Sequence, residues 1–311
     1  MNIRKVFQKQ EAVENELQHF YMLLEGTSND NIKTQFGKVV YDKDYFPSKE
    51  VMQIEDYTTL SDLLWTTLNQ PDTSQKLNIF IHGIWAHYPI AWEQMVEHMS
   101  RDIFHIDDKK KVILSIIWDS TLNYGTGVKI ASQKGDILAD FFTLILKSKP
   151  QDVSFNILAH SMGNRVFEHI INHCELPKEK AISQYISLAA DVEDDIFMQG
   201  RSFDHLSDIV DRIYIYINKQ DRALKISKFL NKIQRLGEAG PKNWDDLGDG
   251  IYVIDTSQVN DTIDFFGKIA NHRYFYLSPT VKSNLKEIIW DDHFLENHRE
   301  DFQDNLCFLK S

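Results

Sequence analysis

The sequence predicts an α/β protein with a mostly parallel, doubly wound sheet and helices on both faces. Short apolar runs alternate regularly with longer amphipathic segments from residue 77 onward. Several of these runs are apolar throughout, which is typical of strands that are buried on both faces of a parallel sheet. The chain has 311 residues and 42% apolar side chains, which is enough for a large core in one or two domains.

Residues 1–76 are predicted to pack on this core. Residues 4–24 place apolar side chains among charged ones at helical spacing, which predicts an amphipathic helix. Residues 37–42 are predicted to form a short strand, and residues 59–68 a helix with Ser61 near its start.

Residues 77–290 are predicted to form the core, in which strands and helices alternate. The apolar runs predict strands at 77–83, 111–118, 153–161, 184–190, 212–218 and 250–257. The amphipathic segments between them predict helices at 89–104, 128–147, 164–174, 223–233 and 279–290. Residues 192–210 and 235–249 are the expected lid segments. Residues 291–311 form an acidic tail, and within it we expect residues 291–304 to be a solvated helix or partly disordered.

The clearest functional signal is Ala159-His160-Ser161-Met162-Gly163, where an apolar run changes abruptly into a helical pattern. Small residues two positions before and after a serine permit the sharp strand-to-helix turn called a nucleophile elbow. Ala159 stands where that motif has its first glycine. The helix that begins near Gly163 would direct its positive end toward the serine. We therefore expect Ser161 to be a nucleophile.

A nucleophilic serine needs two backbone N–H donors that stabilise the oxyanion of the tetrahedral intermediate. The residue after the nucleophile supplies one of them, here Met162. The loop after residues 77–83 supplies the other, and the N–H of Ile84 is the expected donor. Gly83 would let this loop approach the serine closely. His82 precedes the nucleophile in the chain, so we expect it to brace the loop rather than act as the base.

Activation of the serine needs an imidazole, and in this arrangement the histidine follows the acid along the chain. Three histidines lie late enough in the sequence, namely His272, His293 and His298. His272 follows the last predicted strand and precedes the closing helix, which places it at the carboxyl edge of the sheet with Ser161. The other two lie in the acidic tail, so we predict that His272 is the base.

Two aspartates compete for the acid that orients the histidine. Asp221 follows the strand at 212–218, which is the usual position of this acid, and Asp191 follows the strand at 184–190. Asp221 also directly precedes a helix, and an N-cap role would explain it equally well. We predict Asp221 and keep Asp191 as the alternative.

The remaining composition excludes several classes of function. A net charge of −12 without a long Lys/Arg cluster argues against a nucleic-acid partner. The two cysteines, Cys174 and Cys307, predict a reduced, cytoplasmic setting. We expect no secretory signal, no integral membrane segment, no metal and no cofactor.

Several stretches together resemble the α/β-hydrolase superfamily, and in particular a mainly bacterial branch of unknown function. They are "FIHGIW", "SIIWDS", "NILAHSMGNRVF", "LAADVEDDIF", "NKQDRALKIS" and "DTSQVND…NHRYF", which extend over residues 77–276. The resemblance implies a serine-hydrolase triad, and the matching residues are Ser161, Asp221 and His272. Two departures are Ala189-Ala190-Asp191 in place of Ala-Pro-Asp, and Trp118-Asp119-Ser120 in place of Trp-Pro-Ser.

These observations predict a serine esterase that acts on a small-molecule ester. Aromatic residues expected near the mouth of the site, namely Trp85, Trp92, Trp118 and Tyr124, would suit an apolar acyl or aryl group, and core packing would explain each of them singly at least as well. The alternatives are an acyltransferase or thioesterase of the same fold, or a non-catalytic protein-binding module. The sequence does not predict the oligomeric state.

Overall fold

The computed structural model describes residues 17–27, 31–41, 47–84, 99–103, 110–121, 123–177, 180–244, 247–262 and 271–311. Within these residues the strands, numbered in chain order, are β1 (Leu17–Glu25), β2 (Lys33–Tyr41), β3 (Pro47–Ile54), β4 (Thr73–Ile81), β5 (Lys110–Trp118), β6 (Ser154–His160), β7 (Ile182–Leu188), β8 (Val210–Ile217), β9 (Ile251–Gln258), β10 (Phe302–Gln303) and β11 (Leu306–Lys310). The α-helices are α1 (Tyr57–Leu68), α2 (Tyr124–Ser148), α3 (Gly163–His173), α4 (Leu206–Ile209), α5 (Arg222–Asn231), α6 (Leu236–Ala239), α7 (Tyr274–Leu277), α8 (Pro279–Trp290) and α9 (Phe294–Asn297).

All of these strands belong to one sheet, in the order β10-β11-β9-β8-β7-β6-β4-β5-β1-β2-β3. The strands from β11 to β1 in this order run parallel. The pairs β1–β2, β2–β3 and β10–β11 at the two ends are antiparallel. The predicted fold class, a mostly parallel doubly wound sheet, is therefore confirmed.

Helices cover both faces of this sheet, and each face has its own apolar core. One core packs α1, α2 and α3 against the strands. The other packs α7, α8 and the first turn of α5 against the opposite face. Burial on both faces explains why the central strands are apolar throughout.

The order of the strands reverses between β4 and β6. These two strands are neighbours, with Ile81 paired to Ala159, while β5 pairs with β4 on its other side. In an open parallel sheet the crevice outside the carboxyl ends at such a reversal is where ligands bind. The loop after β4 and the turn after β6 open into this crevice. The Gly83 loop and the elbow at Ser161, both indicated by the sequence, therefore meet there.

The predicted helix at residues 4–24 is wrong over its described part, because residues 17–25 form strand β1. This strand pairs with both β2 and β5 and lies inside the sheet. His19 is fully buried there and shares a 2.8 Å hydrogen bond with Ser115 of β5. Histidine counts as a polar residue in a hydropathy pattern. With His19 taken as polar, the apolar residues around it had helical spacing, so the strand resembled an amphipathic helix. Residues 4–16 lie outside the described residues.

Residues 291–304, expected to be a solvated helix or partly disordered, contain the short helix α9 and the two-residue strand β10, and the rest of the tail adds strand β11 to the sheet. Leu306 and Cys307 pair with Val253 and Ile254 of β9, in parallel. Cys307 is buried, and the Val253 N–H donates to the Asn305 carbonyl at 2.8 Å. Strands from residues 1–76, 77–290 and 291–311 thus join one sheet.

The two expected lid segments are bonded to each other at the start of α6. The Leu236 N–H donates to the Val192 carbonyl at 2.9 Å, and the Lys242 N–H donates to the Asp194 carbonyl at 2.9 Å. A cavity of about 450 Å³ lies between the segments, lined among others by Phe197 and Leu247.

The helix predicted at 89–104 falls mostly outside the described residues; Met99–Ile103 form a π-helical turn. Among the helices that the structure describes, none has the length and apolar character needed to cross a bilayer.

Candidate active site

Ser161 occupies a strained turn between β6 and α3. Its φ is +55°, a left-handed conformation that is uncommon for a residue with a Cβ atom. The Ser161 N–H donates to the Leu188 carbonyl at 2.9 Å, and the Asp191 N–H donates to the Ser161 carbonyl at 3.1 Å. Backbone bonds to the neighbouring strand and its loop therefore hold the serine in a conformation that costs free energy.

Two glycines allow the chain to pack tightly around this turn. A Cβ atom on Gly163 would lie only 2.4 Å from the carbonyl oxygen of Ile81. A Cβ atom on Gly83 would lie 2.6 Å from the Cβ of Ser161. Both separations are far below van der Waals contact, so a larger residue at either position would push the β4 loop away from the serine.

Asn164 ties the turn to the strands beneath it, a role that the sequence analysis missed. Its Nδ2 donates to the carbonyls of Ala159 and Ser161, both at 2.9 Å. Its Oδ1 accepts from the Tyr185 hydroxyl at 2.6 Å and the Ser187 hydroxyl at 2.9 Å. All four polar groups are buried, so each hydrogen bond stabilises the turn. Asn164 lies within the stretch that indicated the elbow, three residues after the serine.

The three side chains predicted as nucleophile, base and acid form one hydrogen-bonded line. His272 Nε2 lies 2.9 Å from Ser161 Oγ. His272 Nδ1 lies 2.6 Å from Asp221 Oδ2. The other two histidines considered lie in surface pairs, with His293 bonded to Glu296 and His298 to Asp301. A serine, an imidazole and a carboxylate in this order can move a proton away from the hydroxyl.

Asp221 makes both of the contacts that the sequence allowed. Its Oδ1 accepts from the Leu224 N–H at 3.0 Å and caps α5, while Oδ2 faces His272. Asn218, at the end of β8, accepts from the Gln220 N–H at 2.8 Å and from Asn271 Nδ2 at 3.3 Å. The turn that carries the acid is thereby bonded to the loop that carries the histidine.

Opposing effects act on the pKa of His272. Burial, the largest cause, lowers it, whereas the charge and hydrogen bond of Asp221 and the charge of Asp191 raise it, and the net pKa lies above 6.5. Asp221 thus stabilises the imidazolium form of His272. That form would appear when the histidine takes a proton from Ser161.

The expected oxyanion donors, Met162 and Ile84, belong to segments that approach each other beside Ser161. A Cβ atom on Gly127 of α2 would lie 2.3 Å from Ile84 Cδ1 and 3.4 Å from Met162 Sδ, so both side chains reach the same point of α2. No acceptor for the N–H of either residue is found in the described part of the chain. With respect to the described residues, both N–H groups are therefore available to a ligand.

His82 braces the β4 loop by hydrogen bonds. Its Nδ1 lies 2.7 Å from the Gly83 carbonyl, and its Nε2 accepts from the Trp118 N–H at 3.0 Å. Burial lowers the pKa of His82 to about 4, so it is neutral at physiological pH. Trp118 stacks on the ring and donates Nε1–H to the His82 carbonyl at 2.9 Å. Trp118 is buried in the core, which agrees with core packing rather than with a position lining the mouth of the site. Trp85 and Trp92 lie outside the described residues.

His160 supports the loop that carries His272. Its Nε2 lies 3.3 Å from the backbone carbonyl of His272, and its ring contacts His272 and Phe275 with centroid separations of 4.9 and 4.5 Å. Burial, followed by the influence of His272, holds the pKa of His160 well below 6.5. A neutral ring adds no charge next to His272.

Asp191 lies in a separate buried network and makes no hydrogen bond to His272 in the structure. Its Oδ1 accepts from the Ser227 hydroxyl at 2.5 Å and the Tyr124 hydroxyl at 3.2 Å, and lies 3.3 Å from Arg235 Nε. Burial raises the pKa of Asp191, and Arg235 opposes that effect. No sequence pattern indicated Arg235. Asp191 still contributes to the raised pKa of His272 through its charge.

Asp119, which departs from the family pattern, is bound to the backbone of the β1–β2 turn. Its Oδ2 accepts from the Gly26 N–H at 2.8 Å. Lys134 donates to the carbonyls of Leu24 and Gly26 in the same turn, and burial lowers the pKa of this lysine to about 8. The carboxylate therefore has a structural partner at the carboxyl end of β5.

Asp136, His169 and His173 form the group of three that could hold a metal ion among the described residues. His169 Nδ1 lies 2.9 Å from Asp136 Oδ1. His173 Nδ1 lies 3.2 Å from the same oxygen. The two histidines lie roughly two to three turns along α3 from its first residue, by helix geometry, and the cluster does not include Ser161, His272 or Asp221.

Comparison with known proteins places this geometry in a family. Residues 60–289 match a family model described as "Alpha/beta hydrolase of unknown function (DUF900)". The order of the strands in the sheet, the nucleophile elbow at Ser161 and the match to this family model together define the class of protein as the α/β hydrolases. The chain belongs to this family of unknown function, which confirms the resemblance found in the sequence.

Comparisons with solved structures and with curated proteins add little to this family assignment. A solved structure titled "Crystal structure of polyneuridine aldehyde esterase" is 10% identical over 76% of this chain and 91% of its own, with a TM-score of 0.24. A likeness at that TM-score carries no argument about this chain. No curated protein matches the sequence.

Proposed function

We propose that this chain is a serine hydrolase that cleaves carboxylic esters through an acyl-enzyme intermediate. One observation carries the proposal: the hydrogen-bonded line from Ser161 through His272 to Asp221, with separations of 2.9 and 2.6 Å. The family match supports hydrolase chemistry in general. The strained turn and the two free N–H groups beside it are what acyl transfer requires.

In the acylation step, Ser161 Oγ attacks the ester carbonyl while its proton passes to His272 Nε2. The carbonyl electrons move onto oxygen, where the N–H groups of Met162 and Ile84 would stabilise the negative charge. Collapse of this intermediate breaks the ester C–O bond. The departing alcohol takes the proton from His272, and an acyl group remains on Ser161.

In the deacylation step, water replaces the alcohol and gives its proton to His272. The resulting hydroxide equivalent attacks the acyl carbon, the Ser161 C–O bond breaks, and the proton returns to Ser161 Oγ. Asp221 accepts the hydrogen bond from His272 Nδ1–H throughout and holds the imidazole with Nε2 directed at the serine.

The test is turnover of a short-chain p-nitrophenyl ester by the wild type and by Ser161→Ala at equal purity. We expect the substitution to lower kcat/KM by roughly 10⁴-fold or more, since triad nucleophiles elsewhere have effects of this size. Ser283→Ala, at an exposed position on α8, is the matched control and should retain full activity. Unchanged turnover in Ser161→Ala would refute the proposal.

A fluorophosphonate probe separates an enzyme from a non-catalytic binding module. The probe reacts only with an activated serine, so we expect a single adduct, on Ser161, when the labelled chain is digested and analysed by mass spectrometry. His272→Ala should abolish labelling because the base is removed. Absence of an adduct on the wild type would favour the binding module.

A further inference from the structure

Helix α5 displays an apolar stripe to solvent. Seven large apolar side chains are strongly exposed among the described residues, and four of them belong to α5 and the residues just after it. These four are Ile226, Phe229, Leu230 and Ile233. Phe229 is the extreme case, with 82% of its surface exposed. Single exposed apolar residues are common, but a contiguous group of this kind usually marks an interaction site.

The stripe has the spacing of one helical face. Phe229 and Leu230 follow Ile226 by three and four positions, which places these three on the same side of α5. Ile233 follows directly after the helix ends at Asn231 with its left-handed C-cap Lys232. The opposite side of α5 faces the protein through Leu224 and Ser227, both buried. The helix therefore attaches to the fold by a narrow inner face and presents its larger side chains outward.

The charges on this helix are of one sign. Residues 222–233 contain Arg222, Lys225, Lys228 and Lys232 and no acidic residue. Arg222, Lys225 and Lys232 are exposed, whereas Lys228 lies 3.5 Å from Glu238. At about 100° per residue, Lys225 and Lys228 lie along one flank of the stripe, and Lys232 stands at the C-terminal end of the helix. This local positive charge contrasts with the net charge of −12 of the whole chain.

The position of α5 relates the stripe to the candidate active site. The helix begins directly after Asp221, which caps it through one oxygen and bonds His272 through the other. Ser227, on the inner face, donates to Asp191. A surface that binds the outer face of α5 would thus lie at the same end of the sheet as Ser161.

We propose that α5 docks this chain on an anionic lipid surface. A helix with an apolar face flanked by lysines binds at the interface of a bilayer, where apolar side chains enter the acyl region and cations remain among the headgroups. The docking itself does not depend on the chemistry of Ser161. A corollary, which rests on the proposed function, is that the ester substrate is an amphiphile presented at that surface.

The test is flotation of the purified full-length protein with vesicles. The vesicles contain phosphatidylcholine alone or phosphatidylcholine mixed with phosphatidylglycerol. We expect binding to the mixed vesicles, weakened by at least about tenfold in the variant Ile226→Gln/Phe229→Gln/Leu230→Gln. Lys225→Gln/Lys232→Gln should reduce the preference for the anionic lipid by roughly tenfold. Leu176→Gln removes an exposed leucine outside α5 and should bind like the wild type.

Far-UV circular dichroism and thermal melting establish that each variant is folded. Wild-type protein that fails to float with the anionic vesicles would overturn the proposal, as would a triple variant that binds as well as the wild type. A dimer that the triple variant disrupts, without vesicle binding by the wild type, would assign the stripe to self-association and also overturn it.

Ser161→Ala separates the docking from the chemistry. This variant should bind vesicles as the wild type does while hydrolysing nothing. If the wild type floats with the anionic vesicles but cleaves no ester in any form, docking stands and the proposed function fails. For the corollary, the ratio of hydrolysis of a vesicle-borne ester to that of a soluble ester should fall about tenfold in the triple variant.

Discussion

His272 Nε2 lies 2.9 Å from Ser161 Oγ although 111 positions separate the two residues in the chain. The contact forms because the turn after β6 and the loop after β9 both leave the sheet at its carboxyl edge. Asp221, after β8, completes the line from the other side of the imidazole. The geometry of these three groups leads to predictions about catalysis, pH dependence and stability.

Asp221→Asn should lower kcat of ester hydrolysis by about 10³- to 10⁴-fold, because an amide does not hold the imidazole in the required tautomer. An asparagine can still cap α5, so the thermal melting midpoint should change little. Asp191→Asn is the comparison. It alters the Ser227 and Arg235 contacts and leaves the His272 hydrogen bond in place, so its effect on kcat should be smaller. The opposite ranking in steady-state assays would make Asp191 the acid.

The pH profile of kcat/KM should rise through an apparent pKa above 6.5, because the base must be neutral and its pKa is raised. Asp221→Asn should move this midpoint to lower pH, since burial, which lowers the pKa, would act without the opposing carboxylate. An unchanged midpoint in the variant would show that another group titrates.

The raised pKa of His272 also links pH to stability. The folded state favours the protonated imidazole, so this contribution is fully present below the pKa of the unfolded chain, about 6.5. It is lost as pH rises through the higher folded pKa. The difference in the free energy of unfolding between wild type and His272→Gln, measured by urea titration across this range, should therefore shrink with increasing pH.

Gly163→Ala should destabilise the protein by about 1–3 kcal/mol, because the added methyl group would lie 2.4 Å from the Ile81 carbonyl oxygen. Esterase activity should fall as well, since the β4 loop must move away from Ser161. Gly125→Ala is the matched control, because its nearest neighbour would lie 3.8 Å away. That change should be neutral or stabilising by up to about 1 kcal/mol. Equal midpoints of both variants in urea would contradict the steric account.

Chelators should leave ester hydrolysis unchanged, because the proposed proton path uses only Ser161, His272 and Asp221. The measurement is turnover after dialysis against EDTA, with and without added Zn²⁺. His173→Gln, in the separate cluster with Asp136 and His169, should also retain activity. Loss of activity on chelation, restored by metal, would show that the reaction needs an ion.

Much of the core was predictable because its signals are local. The strands β4 to β9 are short apolar runs, and the elbow is contained in five consecutive residues. The sharp turn at Ser161 leaves room only for small residues beside it. This steric requirement is local, so the motif can be recognised without knowledge of the remaining fold. The helices α2, α3 and α8 were likewise indicated by their own periodicity.

Other features depend on partners that are distant in the sequence. β1 contains the buried His19, which is compatible with a strand interior only because Ser115 of β5 lies opposite to accept or donate a hydrogen bond. β11 is a strand because β9 offers it a free edge. Neither partner is visible in the local pattern, so residues 17–24 were predicted as helical and no strand was predicted at residues 306–310.

By itself, then, the sequence determined the fold class, the central strands and the residue types that bear the chemistry, because hydrophobic periodicity and a five-residue turn are local properties. Only the tertiary structure decided that Asp221 rather than Asp191 faces His272, that Trp118 belongs to the core, and that the apolar face of α5 points outward. The physical reason is that burial and hydrogen bonding are relations between elements. They exist only after the strands have assembled and each side chain has acquired its neighbours.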